Sequence, residues 1–195
     1  MRLLILRHAE TPWTISGQHT GLTEVELTSR GRLTAEAIAP VIASQLEGET
    51  PLVLVSPRKR TRDTARLALP GLATEIDDRL REFDYGDYEG LTHDQILERS
   101  PGWNIWTDGC PGGESINDVV RRVDSVLKSI ADQNHPVVAV THGHTSRILA
   151  ARALGLVGGQ GSIFDSAPGS LSILATVRGA TVLELWNYGV TLTGS

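Results

Sequence analysis

Three short apolar runs constrain the fold of this chain more than any other feature: RLLILR (Arg2 to Arg7), PLVLVS (Pro51 to Ser56) and PVVAVT (Pro136 to Thr141). Each is nearly continuous and rich in branched side chains, the pattern of strands covered on both faces. Helical patterns separate them. Thr28 to Leu46 places apolar residues at Leu33, Ala37, Ile38, Val41 and Ile42, with Pro40 expected to kink the helix. Pro57 stands where a first helical turn would begin, ahead of RKRTRDTARLAL. Ser115 and Asp118 have the spacing of an N-terminal capping pair, and Val119, Val123, Val126, Leu127 and Ile130 mark one face of the helix that follows. HTSRILAARALG after the third run stops at Gly155, a left-handed cap. SLSILATV and TVLELW flank Arg178-Gly179-Ala180 and read as a hairpin. The resulting expectation is an α/β three-layer sandwich: a mostly parallel, doubly wound sheet with helices on both faces and an antiparallel C-terminal edge. Residues 77–113, rich in Gly, Pro, Trp and acids, read as an irregular cap over the site.

A length of 195 residues suits a single domain spanning 1–195. The net charge is −5 with no basic block, which argues against nucleic acid or an anionic membrane as partner. The N-terminal apolar run is about five residues, well short of a signal segment or a membrane span. A soluble, cytoplasmic protein is expected. The single Cys110 excludes an internal disulfide and any multi-cysteine zinc site, and it carries no assigned chemistry.

In doubly wound sheets ligands lie beyond the carboxyl ends of the strands. The three runs end in Arg7-His8, in Ser56-Pro57-Arg58-Lys59-Arg60, and in Thr141-His142-Gly143-His144. Imidazoles and guanidiniums gathered in one crevice need an anion to complete them. Phosphate fits, because arginine forks match its oxygens and helix N-termini add N–H donors. Neither GxxxxGK[ST] nor GxGxxG occurs, so neither common nucleotide cradle is supported. His142 and His144 lack a carboxylate or Cys at supporting spacing, so no metal is expected.

The motifs together resemble those of the histidine phosphatase superfamily, also called phosphoglycerate mutase-like. RHAETPW is similar to its RHGETxW signature, and GQHTGLTEVELTSRG, SPRKRTRDTA, LREFDYGDYEGLT and THGHTSRIL follow in the family's order. WTISGQHTGLT, WNIWTDGCPGGES and GHTSRILAARALGL look most like the branch with sedoheptulose bisphosphatase and bacterial acid phosphatases. The resemblance implies a metal-independent and cofactor-free phosphatase that hydrolyses a phosphomonoester of a small metabolite, such as a sugar bisphosphate, through a phosphohistidine.

Under that resemblance His8 is the nucleophile, Arg7, Arg60 and His142 hold the phosphoryl group, and Glu82 is the general acid and then base. Arg58 is the runner-up to Arg60, while Lys59 and Arg62 read as solvated. Thr14, Gln18, Thr20, Gly21, Tyr85 and Gly143 border the substrate, and Arg147 meets a second anionic group or forms a surface salt bridge. His19 reads as a loop residue. Trp103 and Trp106 are either a lid or cap packing. Two departures from the pattern stand out. Ala9 replaces a Gly and must tolerate a Cβ, and Thr14 replaces an Asn with a hydroxyl that can still donate to phosphate. The alternatives are a cofactor-dependent phosphoglycerate mutase, disfavoured because residues 91–113 hold only Arg99 as a basic group, and a phosphohistidine protein phosphatase. Oligomeric state is not legible.

Overall fold

A computed structural model describes residues 1–192. The three apolar runs form β1 (Arg2–Arg7), β2 (Leu52–Val55) and β4 (Val137–Thr141), joined in one sheet by β3 (Glu75–Ile76), β5 (Leu171–Val177) and β6 (Ala180–Tyr188). The order is β3-β2-β4-β1-β5-β6, parallel from β3 to β1 and antiparallel at the β1–β5 and β5–β6 pairs. The expected α/β fold with its antiparallel edge is therefore the one observed. The turn is Arg178-Gly179, with φ of 51° and 83°, the two positive values that suit a tight hairpin.

The continuous runs are explained by cover on both faces. Leu3, Ile5, Leu54, Val137, Ala139 and Leu174 point to one side, against α6 (Ile116–Ile130), α7 (Gly143–Ala153) and the cap. Leu4, Leu6, Val53, Val55, Val138, Val140 and Ile173 point to the other, against α2 (Ser29–Leu46) and α3 (Lys59–Ala68). Neighbouring residues serve opposite layers because side chains alternate along a strand. The cap between residues 77 and 113 carries two short helices, α4 (His93–Arg99) and α5 (Ile105–Asp108), besides its irregular turns. A further short helix, α1 (Pro12–Ser16), follows β1. Ser115 and Asp118 do form the capping box that starts α6, and Gly155 has φ of 78° after α7.

Two local expectations are corrected. The inward face of α2 runs through Ala35, Ile38, Ile42 and Leu46, while Leu33 is 55% exposed. Pro40 lies within the span of α2. It lies on the exposed face, where water can reach the carbonyl of Glu36 that its missing N–H leaves unpaired. Pro57 precedes rather than opens α3, whose N-cap is Arg58. The Lys59 N–H is satisfied from outside by a Glu24 carboxylate oxygen at 2.8 Å.

These burials make a graded prediction. Ile38→Ala should cost about 2–5 kcal/mol in urea unfolding, whereas Leu33→Gln should change stability by no more than about 0.5 kcal/mol.

Candidate active site

The register brings the strand ends together. Arg7 pairs with Thr141 across β1 and β4, and Val55 with Val140 across β2 and β4, so His8, Ser56 and His142 emerge side by side. The His8 N–H donates to the Thr141 carbonyl at 2.9 Å, and the His8 and His142 rings lie 5.2 Å apart. Beside them opens a cavity of about 220 Å³.

The tautomers follow from fixed partners. His8 Nδ1 is 2.8 Å from the Ala9 carbonyl, which can only accept, so Nδ1 carries the proton and Nε2 the lone pair. Burial, together with Arg60 and Arg7, lowers its pKa well below the ordinary histidine value. The His8 ring lines the cavity as a neutral imidazole. His142 Nδ1 accepts from Arg60 Nε at 3.2 Å, leaving Nε2–H to donate to Ser56 Oγ at 2.7 Å. Burial and then Arg60 and His8 also keep His142 neutral.

Arg60 is fully buried and Arg58 lies outside it, with Nη1 3.3 Å from the Leu22 carbonyl and 3.6 Å from Glu24. The structure thus places the two arginines in different surroundings. Besides His142, Arg60 donates to the Thr23, Thr20 and Gly21 carbonyls at 3.0, 2.8 and 3.1 Å. Arg7 donates to the Ser166 carbonyl, while its buried Nε has no hydrogen-bond partner among the described residues. Among the described residues neither Arg7 nor Arg60 forms an ion pair.

Glu82 is 6% exposed and lines the cavity. Its carboxylate accepts from the N–H groups of Phe83, Thr145 and His144 at 3.0, 3.0 and 3.1 Å, the last two heading α7 where the helix dipole favours an anion. Burial alone would raise this carboxyl, but the field of His144 and these N–H donors outweigh it and bring it to about 2.

Thr14, Gln18, Thr20, Tyr85, Gly143 and Arg147 all line the cavity. Gly21 does not: its N–H donates to Glu89 and its Cα faces the Phe83 carbonyl. Arg60 and His142 likewise sit behind the lining, in contact with one another. The Thr14 hydroxyl donates to the Thr11 carbonyl at 2.9 Å and accepts the Thr11 N–H, so it is committed to the cap of α1. Among the described residues Arg147 forms no salt bridge. It donates to the Gly161 and Ser162 carbonyls and lies 4.4 Å over the Trp106 ring. Ala9 has no positive φ, and its methyl packs with Leu27 and Ala35, which answers how this position accepts a Cβ. Trp103 is cap packing, its Nε1–H bound to the Gly109 carbonyl. The Cys110 thiol is buried and pushed up to about 12.

Sequence reasoning missed four lining residues, Trp13, Gly17, Asp165 and Ser166, and undervalued His19 and His144. His144 shares a 2.7 Å hydrogen bond with the Tyr85 hydroxyl, and burial lowers it to about 3. Its place two residues after a strand end was the available signal. Asp165 and Ser166 come from a loop with no pattern to mark them. Among the described residues no cluster of His, Cys, Asp or Glu could hold a metal.

An α/β sheet whose strand ends gather, around a small cavity, two neutral imidazoles and two guanidiniums with no ion-pair partner among the described residues defines a protein built to engage phosphate. The description "Histidine phosphatase superfamily (branch 1)" matches residues 3–189. The chain is 45% identical to an acid phosphatase of Mycobacterium tuberculosis over 187 residues, covering 94% of this chain and 91% of the relative. It is 34% identical to sedoheptulose 1,7-bisphosphatase of Saccharomyces cerevisiae, over 80% and 68% of the two chains. The solved structure of a mycobacterial glucosyl-3-phosphoglycerate phosphatase in complex with VO3 superposes with a TM-score of 0.84 at 32% identity, covering 95% of this chain and 98% of that one. The chain belongs to the histidine phosphatase superfamily, and it is a phosphomonoester hydrolase.

The buried neutral histidines make a prediction for stability. His8, His19, His142 and His144 all have pKa values lowered from 6.5, so below 6.5 the unfolded chain binds more protons than the fold and stability falls with falling pH. Glu82, lowered from 4.5, loses its stabilising effect only as pH falls from 4.5 through about 2. Urea unfolding without phosphate should therefore show a loss between pH 6.5 and 4.5 that histidine drives. His144→Gln should flatten that slope.

Proposed function

We propose that this chain hydrolyses the monophosphate ester of a small metabolite by phosphoryl transfer to His8 Nε2, with Glu82 handling the leaving-group proton and no metal or cofactor taking part. The observation that carries it is the pairing of a lone pair fixed on His8 Nε2 with a buried Arg7 Nε that has no hydrogen-bond partner among the described residues, both at the wall of one cavity. A phosphoryl oxygen on Arg7 would bring phosphorus within reach of His8.

In the proposed first step Nε2 forms a bond to phosphorus as the ester oxygen leaves and takes a proton. Arg7 binds the equatorial oxygens, and Arg60 and His142 support the same group from behind His8. A water molecule then attacks phosphorus, the N–P bond breaks, and phosphate leaves. Glu82 receives the proton of that water. A carboxyl at about 2 is ionised in the free enzyme, so the first proton must arrive with the substrate and pass through Glu82 to the leaving oxygen. A phosphomonoester monoanion carries one, and it is the protonated form below a pKa of about 6. His8 stays neutral there because its pKa is lowered.

A cavity of about 220 Å³ is smaller than the roughly 300–1,000 Å³ of sites for larger ligands, which favours a small substrate in the cytoplasm over a phosphorylated protein. Gln18, Thr20, Tyr85, Gly143 and Arg147 would meet its leaving group. The mutase alternative loses its support, since Arg99 is exposed and does not line the cavity.

Labelled substrate quenched without acid should trap a phosphoenzyme stable to alkali and labile to acid. Label persisting in His8→Ala would overturn the nucleophile. Arg7→Ala should lower kcat/KM roughly 10²–10³-fold. Chelators should leave activity unchanged, and 3-phosphoglycerate should not be isomerised. The kcat/KM profile should fall as pH rises through about 6, following loss of the substrate monoanion.

A further inference from the structure

We propose that Glu114 and Arg122 form a brace that positions the Glu82 carboxyl by fixing the backbone on both sides of it. This rests on the reading of Glu82 as the group that handles the leaving-group proton.

The chain from Arg81 to Asp84 belongs to no helix or strand, so its polar backbone groups have no ladder partners and must find others when buried. Side chains supply them. Arg122 donates to the Arg79 carbonyl at 2.8 Å and to the Glu82 carbonyl at 3.2 Å. Thr141 and Thr145 hydroxyls take the Leu80 and Arg81 carbonyls at 2.7 and 2.8 Å. On the far side Glu114 accepts the Asp84 N–H at 3.0 Å, and its own N–H donates to the Asp84 carbonyl at 2.9 Å.

Glu114 and Arg122 join the two flanks through a bidentate pair, with Nε to Oε1 at 3.0 Å and Nη2 to Oε2 at 3.1 Å. Both residues are more than nine-tenths buried, at 9% and 8% exposed. Pro111-Gly112-Gly113 is shaped to bring Glu114 there. A Cβ on Gly113 would stand 2.2 Å from the Asp84 carbonyl oxygen, and one on Gly86 would stand 2.2 Å from that of Pro111.

Two simpler roles fit less well. The neighbouring arginines do not form an anion site, because Arg79 faces Asp77, Arg81 faces Asp78 and Glu114, and Arg121 faces Asp118. A buried ion pair is also a poor source of stability relative to apolar packing, and its best use is to fix geometry. Here the geometry fixed is that of the Glu82 carboxylate, which lines the same cavity as His8.

The test compares two substrates by kcat/KM. Glycerol phosphate leaves as an alkoxide that needs a proton, whereas p-nitrophenyl phosphate leaves as a stable phenolate that does not. Arg122→Lys and Glu114→Gln should lower kcat/KM for glycerol phosphate roughly 10²-fold, the loss expected for a catalytic group misplaced by about 1 Å, and change it only a few-fold for p-nitrophenyl phosphate. The ratio of the two is independent of how much of each variant is folded. Equal losses on both substrates, or none on either, would overturn the brace. Glu82→Gln is the reference and should show the same selectivity. If that variant loses both substrates equally, the Glu82 reading fails, and the brace's role in catalysis falls with it.

Discussion

The parallel register of β1, β4 and β2 is the constraint on which the rest of the site depends. Because Arg7 sits opposite Thr141 and Val55 opposite Val140, three unrelated stretches of chain reach the end of the sheet at one level. The strands are apolar up to that level and strongly polar just beyond it. Taking two guanidiniums out of water with no carboxylate bound to either among the described residues is costly, and the fold meets that cost with neutral acceptors. Backbone carbonyls of residues 20, 21, 23 and 166 surround the guanidiniums. Carbonyl dipoles stabilise the cations without neutralising them, so an arriving phosphoryl group finds the charge still available.

The same burial decides the protonation states. Imidazoles beside two guanidiniums cannot accept protons cheaply, so His8 and His142 remain neutral and each tautomer is set by one fixed partner. Glu82 is treated in the opposite way. It stands at the N-terminus of α7, where two helix N–H groups and the Phe83 N–H hold it as a carboxylate. His8 is thus neutral and Glu82 charged across the same acidic range, a combination that suits a substrate bringing its own proton.

Much of this was legible in the sequence, and the reasons differ by element. The runs around Leu4, Val53 and Val138 announced strands covered on both faces because burial on two sides removes the need for alternation. His8, Arg60 and His142 were selected by strand-end placement and motif spacing, and the structure does bring them into contact. Leu33 and Pro57 were misplaced because a few residues of periodicity cannot fix the rotation of a helix or its first turn. The Thr14 hydroxyl was assigned to a ligand, whereas local geometry spends it on the cap of α1.

Arg122 shows most clearly what a linear reading loses. Its spacing from Val119 and Val126 put it on the buried face of α6, yet a charged residue there has meaning only once Glu114 and the Glu82 carbonyl are placed beside it. By itself the sequence determined the layered sheet, the imidazoles and cations at its edge, and the phosphate chemistry they imply, because hydrophobic periodicity and strand termini are local properties. Only the tertiary structure decided which histidine nitrogen is free, that Glu82 is ionised, and that Asp165, His144 and Trp13 wall the cavity. Those outcomes depend on hydrogen-bond partners and burial contributed by segments up to some 160 residues apart, and no local pattern encodes such a contact.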